Sequence, residues 1–240
     1  MKKLVSLSIL LITLSFLGAA DGEIYSGDQS VFILPTAYTM PKDSYAVTLY
    51  EALIPQFAYA ATDRLHLSAA GTVIPALEEG EWWAIVSFGV KYNYFRAKNV
   101  ESAVLGNYTH YLKTVTLGNV VSFGSNSGKG VGSVHLVGFL LGNKDNRESW
   151  ELMGTLGMGW ILRLSNRINA MAELTFVPFD IEKELSHSSE EENKYALLIA
   201  GFRYKWKRVA LDLGAMHTLG GMGQSEFMRL PFVKVSILFR

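Results

Sequence analysis

Residues that could do chemistry are few in this sequence, and their spacing argues against the common nucleotide-binding motifs. The three glycines of GTLGMGWILRL (154–164) reverse the spacing of a dinucleotide loop, and apolar alternation continues where a helix should begin. In GSNSGKG (124–130), three residues rather than four separate the first two glycines, and a glycine replaces the Ser/Thr that binds magnesium. We interpret the first segment as a strand and the second as a turn.

Two histidines are candidate general bases. His66 and His135 fall on strand faces that we predict to point inward, each near a serine, Ser68 or Ser133. Such a Ser–His pair could serve a lipid-modifying enzyme, but the sequence has no G-x-S-x-G motif, and hydrogen-bonded interior residues are the simpler interpretation. The five histidines show no H-E-x-x-H or other close ligand spacing, so we expect no metal site and no cofactor.

One segment concentrates acidic residues. DIEKELSHSSEEEN (180–193) could bind divalent cations that bridge to lipopolysaccharide phosphates. A solvated loop is the simpler interpretation.

The N-terminus and the composition indicate a secreted, apolar chain. Lys2 and Lys3 precede an apolar run, Leu4 to Leu17, and Gly18-Ala19-Ala20 offers a cleavage site, so residues 1–20 are predicted to be a signal peptide. The apolar run is shorter than the ~20 residues of a spanning helix. Hydrophobic residues make up 49%, charged residues 18%, and there is no cysteine. The net charge of zero argues against nucleic acid as a partner.

Strict alternation of apolar and polar residues must position these groups. It is clear at 65–73, 86–94, 150–164, 168–176 and 198–215, and it predicts strands with one apolar face. Short turns at 62–64, 98–99, 165–166 and 207 alternate with longer polar segments, as in an up-and-down barrel. Counting from Ser30 gives about 12 strands, and we expect a bulge or kink near Pro55 within the run 44–62.

Two segments resemble bacterial outer-membrane β-barrels. YAATDRLHL (59–67) is similar to a hairpin found in many of these proteins, with Ala60 in place of the usual glycine. The last strand, with Val233, Val235, Ile237 and Phe239 on one face, resembles the signal that the outer-membrane assembly machinery recognises, although Arg240 follows the aromatic residue. The resemblance implies an all-β, up-and-down antiparallel transmembrane barrel over residues 21–240, located in the bacterial outer membrane. A soluble periplasmic barrel or sandwich would leave the charged strand faces in water, and we favour the membrane barrel.

The polar faces carry the functional hypothesis. Charges of both signs that project inward would line or block a narrow path without forming a strong ion filter. We therefore expect a narrow channel or transporter for small hydrophilic solutes, surrounded by outer-membrane lipid and lipopolysaccharide, and not an enzyme. A lipid-modifying enzyme, and a structural or surface-interaction barrel with a plugged lumen, are the alternatives. The candidate lumen residues are Lys91, Glu101, Glu151, Arg163, Arg167, Glu173, Arg203, Lys205, Asp212 and Lys234.

Overall fold

The structure, a computed structural model, describes the chain in segments. These are residues 29–51, 53–75, 82–110, 113–124, 130–142, 150–176, 179–180, 196–219 and 230–239. At 73–75, 82–83, 135–142, 150–153 and 179–180 only the backbone is described. The predicted signal peptide lies outside these residues. Within the described segments, no helix is long and apolar enough to span a bilayer.

Twelve antiparallel strands form one closed barrel, which confirms the predicted fold. Each strand pairs with the next, and the first pairs with the last, with Tyr45 opposite Phe239 and Tyr50 opposite Lys234. A short extension of the ninth strand, Phe179–Asp180, pairs with Gly154 and Met153 of the eighth. The strands are β1 Tyr45–Tyr50, β2 Ile54–Ala60, β3 Leu65–Pro75, β4 Trp82–Arg96, β5 Val100–Thr109, β6 Thr114–Gly124, β7 Gly130–Gly142, β8 Trp150–Arg163, β9 Ile168–Phe176, β10 Ala196–Trp206, β11 Val209–Leu219 and β12 Leu230–Phe239.

The N-terminal part of the barrel differs from the sequence prediction. The run 44–62, expected to be one strand with a kink near Pro55, is two strands, because Glu51 adopts a left-handed conformation (φ 50°) and turns the chain. The Leu53 N–H closes this turn on the Tyr50 carbonyl at 3.0 Å. The segment from Ser30 to Met40, counted as strand in the sequence, lies outside the sheet. The first difference adds one strand to the predicted count and the second removes one, so the total remains twelve.

The two rims of the barrel differ in the length of their connections. We call one edge the turn rim; it carries the connections 61–64, 97–99, 125–129, 164–167 and 207–208, together with the start of β1 and the end of β12. The opposite edge, the loop rim, carries the connections 143–149, 177–195 and 220–229 among others. The turns predicted at 62–64, 98–99, 165–166 and 207 all lie at the turn rim.

The outward face of the strands is apolar and exposed. Phe88 is 57% exposed, Leu117 62% and Phe202 58%, although each lies in the middle of a strand. At the closing seam, Tyr45 stacks on Phe239 with ring centroids 4.7 Å apart. A soluble protein rarely exposes so continuous an apolar surface, and a lipid environment accounts for it.

Aromatic residues are exposed on strand ends at the turn rim, as expected for a membrane interface. Tyr204 and Trp206 end β10 and are 44% and 58% exposed. Trp160 of β8 is only 7% exposed because Leu174 and Ala196 pack against it.

The outward face yields a stability prediction. Leu213 is 50% exposed at mid-strand, opposite Phe202. We expect Leu213→Arg to lower the free energy of unfolding in lipid by about 2–4 kcal/mol, whereas Val209→Arg, at the turn rim, should cost about 0–1 kcal/mol. Denaturant titrations of the barrel in lipid vesicles measure both values. Equal effects of the two substitutions would contradict a lipid-facing surface.

Candidate functional site

A short N-terminal segment occupies the lumen. We call residues 29–40 the N-terminal hairpin and residues 31–34 its tip. The Val31 N–H donates to the Leu34 carbonyl (2.9 Å), and the Thr36 N–H donates to the Gln29 carbonyl (3.0 Å), so the segment folds back on itself. Val31, Phe32 and Ala37 are at most 1% exposed, although they belong to no strand of the sheet.

Glu173 of β9 holds the tip of the hairpin. Its Oε2 atom accepts the N–H groups of Phe32, Ile33 and Leu34 at 3.1, 2.9 and 2.9 Å. Three successive N–H groups that converge on one carboxylate form an anion-binding concavity of the main chain. Here the anion is a side chain of the wall, and the concavity belongs to the segment inside the lumen.

Two cations hold the carbonyl groups of the same tip. Arg203 of β10 donates to Ser30 O (3.1 Å) and Val31 O (2.5 Å), and Lys234 of β12 donates to Phe32 O (2.9 Å). Between them, Asp212 of β11 pairs with Arg203 through two bonds of 2.6 and 2.7 Å and with Lys234 at 3.2 Å. All three side chains are fully buried, so each charge depends on these partners.

The rest of the hairpin is held by polar residues of β4 and β6. Lys91 donates to Thr36 O (3.2 Å) and Tyr38 O (2.6 Å), and Asn93 donates to Ala37 O (2.9 Å). Ser122 accepts the Ala37 N–H at 2.8 Å. Contacts therefore run along the whole segment and fix its depth in the barrel.

Glycines of the wall make room for the tip. A Cβ atom on Gly159 would lie 2.6 Å from Val31 Cγ2, and one on Gly214 would lie 3.2 Å from the Phe32 ring. Phe232 meets the Phe32 ring edge to face, with centroids 5.2 Å apart. Gly159 belongs to the motif that resembled a phosphate loop, and its role in this structure is steric.

A cavity with a mixed apolar and polar lining, which includes Ala58, Ala70, Leu105 and Leu197, lies between the tip and the loop rim. Its volume is about 560 Å³, and Ile33, Leu34 and Pro35 form its floor. We call it the vestibule. His66, Lys91 and Glu173 also reach it. The uncharged polar residues that line its wall are Gln56, Ser68, Ser87, Asn107, Thr116, Thr155 and Thr175.

The predicted lumen residues lie at different places in the barrel. Lys91, Glu173, Arg203, Asp212 and Lys234 form the binding site of the hairpin. Glu101 is buried closer to the turn rim, where Asn93 donates to it and Arg96 lies 3.4 Å away. Arg163 and Lys205 are half-buried at strand ends, Arg167 lies exposed in the turn 164–167, and the side chain of Glu151 lies outside the described residues.

The described side chains of the proposed Ser–His pairs, His66 and Ser133, form hydrogen bonds with other groups. His66 Nε2 accepts the Met40 N–H at 2.6 Å, which occupies the lone pair that a general base needs. Ser133 shares a hydrogen bond with Ser122 at 2.8 Å, next to the hairpin. The side chain of His135 lies outside the described residues, as do residues 181–193 of the acidic segment. The described residues contain no cluster of three acidic or histidine side chains that could hold a metal ion.

No pattern in the sequence predicts the hairpin or all of the residues that hold it. Asn93, Ser122 and Tyr38 are functional in the sense that they fix the hairpin; the Tyr38 hydroxyl donates to Gly124 O at 2.6 Å. Asn93 and Ser122 lie at inward-facing positions of the alternating pattern, which could have placed them in the lumen. Nothing in the alternation predicts which main-chain atoms they bind.

Comparisons with known proteins show the fold. The sequence matches no family model and no curated protein. Among solved structures, KdgM porin aligns with a TM-score of 0.53 at 8% identity, over 82% of this chain and 97% of that one. LpxR from Salmonella typhimurium (TM-score 0.42, 9% identity, 82% of this chain and 99% of that one) and a deletion mutant of the TodX monoaromatic hydrocarbon channel (0.44, 11%, 92% and 76%) align more loosely. The chain shares the closed-barrel fold of bacterial outer-membrane proteins.

The buried charges yield a prediction about stability. Asp212→Ala leaves Arg203 and Lys234 buried without their shared carboxylate, so we expect a loss of about 3–5 kcal/mol in the free energy of unfolding. Replacing all three residues by apolar ones of similar size should cost clearly less, because no uncompensated charge remains. Denaturant titration of both variants in detergent tests this. If the Asp212→Ala variant is as stable as the parent, the three charged side chains are not buried as described.

Proposed function

We propose that the chain is a channel of the bacterial outer membrane for small hydrophilic solutes, and that the N-terminal hairpin closes it in this structure. The observation that carries the proposal is the division of the lumen into a vestibule, whose wall presents several hydroxyl and amide side chains, and a separate floor. The floor is the tip of the hairpin, not the wall of the barrel. A channel closed by a segment of chain can open without any change in the barrel.

The vestibule suits small uncharged solutes. Its wall offers hydroxyl and amide groups from Ser87, Asn107 and Thr116, on three different strands. Such groups both donate and accept hydrogen bonds and carry no net charge. The charged residues that reach the vestibule lie at its floor, where Glu173 and Lys91 hold the hairpin.

The barrel wall does not need the hairpin for its own main-chain pairing. β1 and β12 close the sheet directly, and the wall contacts the hairpin through side chains such as Glu173, Arg203 and Lys91. The connection to β1 runs through exposed residues 41–43. Departure of the hairpin would therefore leave the ladder closed, and the charged residues of the wall would become hydrated.

The outward face and the chain ends support the location. The exposed apolar belt fits a bilayer, and both ends of the barrel lie at the turn rim, which we assign to the periplasmic side. The last strand, with Val233, Val235 and Ile237, fits recognition by the outer-membrane assembly machinery. Lipid and lipopolysaccharide would surround the belt.

We propose no catalytic role for the chain. His66 is engaged by the hairpin, and Ser133 is engaged by Ser122. The second candidate function is a structural barrel that stays plugged, which the deep burial of the tip favours. Conductance measurements separate this candidate from a channel.

A steric change in the wall should open the channel. Gly159→Val adds atoms where Val31 now packs, so we expect the tip to be displaced and the open fraction in planar bilayers to rise at least about tenfold. Gly71→Val is the matched control, because a Cβ atom there meets its nearest neighbour at an ordinary 3.5 Å. If the Gly159 variant forms a heat-modifiable barrel but shows neither conductance nor solute flux into liposomes, the channel proposal fails.

The open lumen should discriminate weakly between ions. Lys91, Arg203 and Lys234 oppose Glu173 and Asp212, so the exposed path carries charges of both signs. We expect the potassium-to-chloride permeability ratio of the Gly159→Val variant to be close to one, measured as the reversal potential in a potassium chloride gradient. A ratio far from one in either direction would show that a single sign of charge controls the path.

A further inference from the structure

The lumen wall contacts mainly groups that any peptide possesses at the hairpin tip. Glu173 accepts three successive N–H groups, and Arg203 and Lys234 donate to carbonyl groups. Lys91 and Asn93 continue this pattern on the carbonyls of Thr36 and Ala37. These contacts depend on the path of the main chain and not on the identity of the side chains.

Side chains of the hairpin are recognised at a few positions. The Ser30 hydroxyl accepts from Lys234 at 2.6 Å, the Tyr38 hydroxyl donates to Gly124 O at 2.6 Å, and two adjacent apolar residues of the tip pack against the wall. Val31 fills the space left by Gly159, and Phe32 meets Phe232 edge to face and lies over Gly214. The next residue, Ile33, directs its side chain to the vestibule and is 47% exposed, although its N–H donates to Glu173. An aliphatic residue followed by an aromatic one is thus specified, and the third position of the tip is free.

We propose that the lumen wall is a peptide-binding site and that the hairpin is its resident ligand. The ligand class is a short peptide that makes a tight turn, carries an aliphatic–aromatic pair and presents three successive N–H groups to Glu173. In the described part of the chain, the covalent connection between the hairpin and the barrel runs through the exposed residues 41–43, so a separate peptide with the same turn can take its place. This goes beyond the proposed channel function, since a peptide can bind whether or not the lumen conducts.

The test keeps the complete chain and separates the ligand from the site. A protease site is inserted within residues 41–43, the folded protein is cut, and the cut chain is refolded from urea into detergent with an excess of fluorescent peptide of residues 29–42. We expect the labelled peptide to co-purify with the heat-modifiable barrel in a saturable way and to be displaced by unlabelled peptide. Refolding makes the result independent of how slowly the original fragment leaves.

Matched peptides distinguish recognition of the main chain from nonspecific binding. Ile33→Ala keeps the N–H group and removes an exposed side chain, so it should bind within about twofold of the parent peptide. N-methylation of the amide of Ile33 removes one donor to a buried carboxylate and should weaken binding at least about tenfold. Phe32→Ala should also bind more weakly, and the Glu173→Gln barrel should take up less of every peptide.

Two results would overturn the proposal. One is a folded, cut barrel from which the labelled peptide is absent. The other is equal uptake of the N-methylated and Ala peptides, which would mean that the main chain is not recognised. Conductance tests the channel proposal, and peptide uptake tests the peptide site. Peptide uptake without conductance would therefore reject the channel and retain the peptide site.

Discussion

Closing a sheet of twelve strands creates an interior that wall side chains alone do not fill, and the rest of the structure depends on how that space is occupied. Barrels of about eight strands are filled by their own side chains, whereas those of 16–18 strands leave an aqueous channel. This barrel lies between the two cases, and part of its lumen holds a segment of its own chain. The inward glycines, the buried charges and the vestibule are all arranged around that segment.

Burial of the hairpin in the lumen determines which side chains must surround it. A peptide segment inside a barrel brings N–H and carbonyl groups that must find partners. Glu173 supplies the acceptor, while Arg203 and Lys234 supply donors, and Asp212 balances the two cations. Hydrogen bonds to charged groups contribute about 1.5–3 kcal/mol each, so the network is strong enough to select one position for the hairpin. The same charges would be tolerated in an open lumen, where water replaces the main chain.

Much of the barrel could be predicted from the sequence, because a two-residue period reports directly which face of a strand meets lipid. The alternation of apolar and polar residues over 198–215 placed Arg203 and Asp212 on the inner face, where they lie opposite one another on β10 and β11. Parity also assigns Lys91 and Glu173 to the interior. Ring closure and the short turns followed from the same pattern.

The hairpin could not be predicted, and the reason is physical. Residues 30–40 contain apolar residues and one proline, Pro35, and resemble a poor strand. The wall binds their main chain, and such contacts leave no pattern in the sequence. Burial of Val31 and Phe32 depends on glycines far away in the chain, at 159 and 214 respectively. The turn at Glu51 was missed because a left-handed conformation at a glutamate has no strong sequence signal.

The central claim is that the hairpin closes the lumen and that the channel opens when the hairpin leaves, and a reversible lock tests this claim most directly. The chain has no cysteine, and a Cβ atom on Gly159 would lie 3.2 Å from that of Val31, so Val31→Cys with Gly159→Cys can form a disulfide after a small adjustment. Single-channel conductance is then recorded for the oxidised and the reduced protein. The account predicts no openings when the disulfide is intact and openings after reduction. Equal conductance in the two states, whether high or zero, would contradict it.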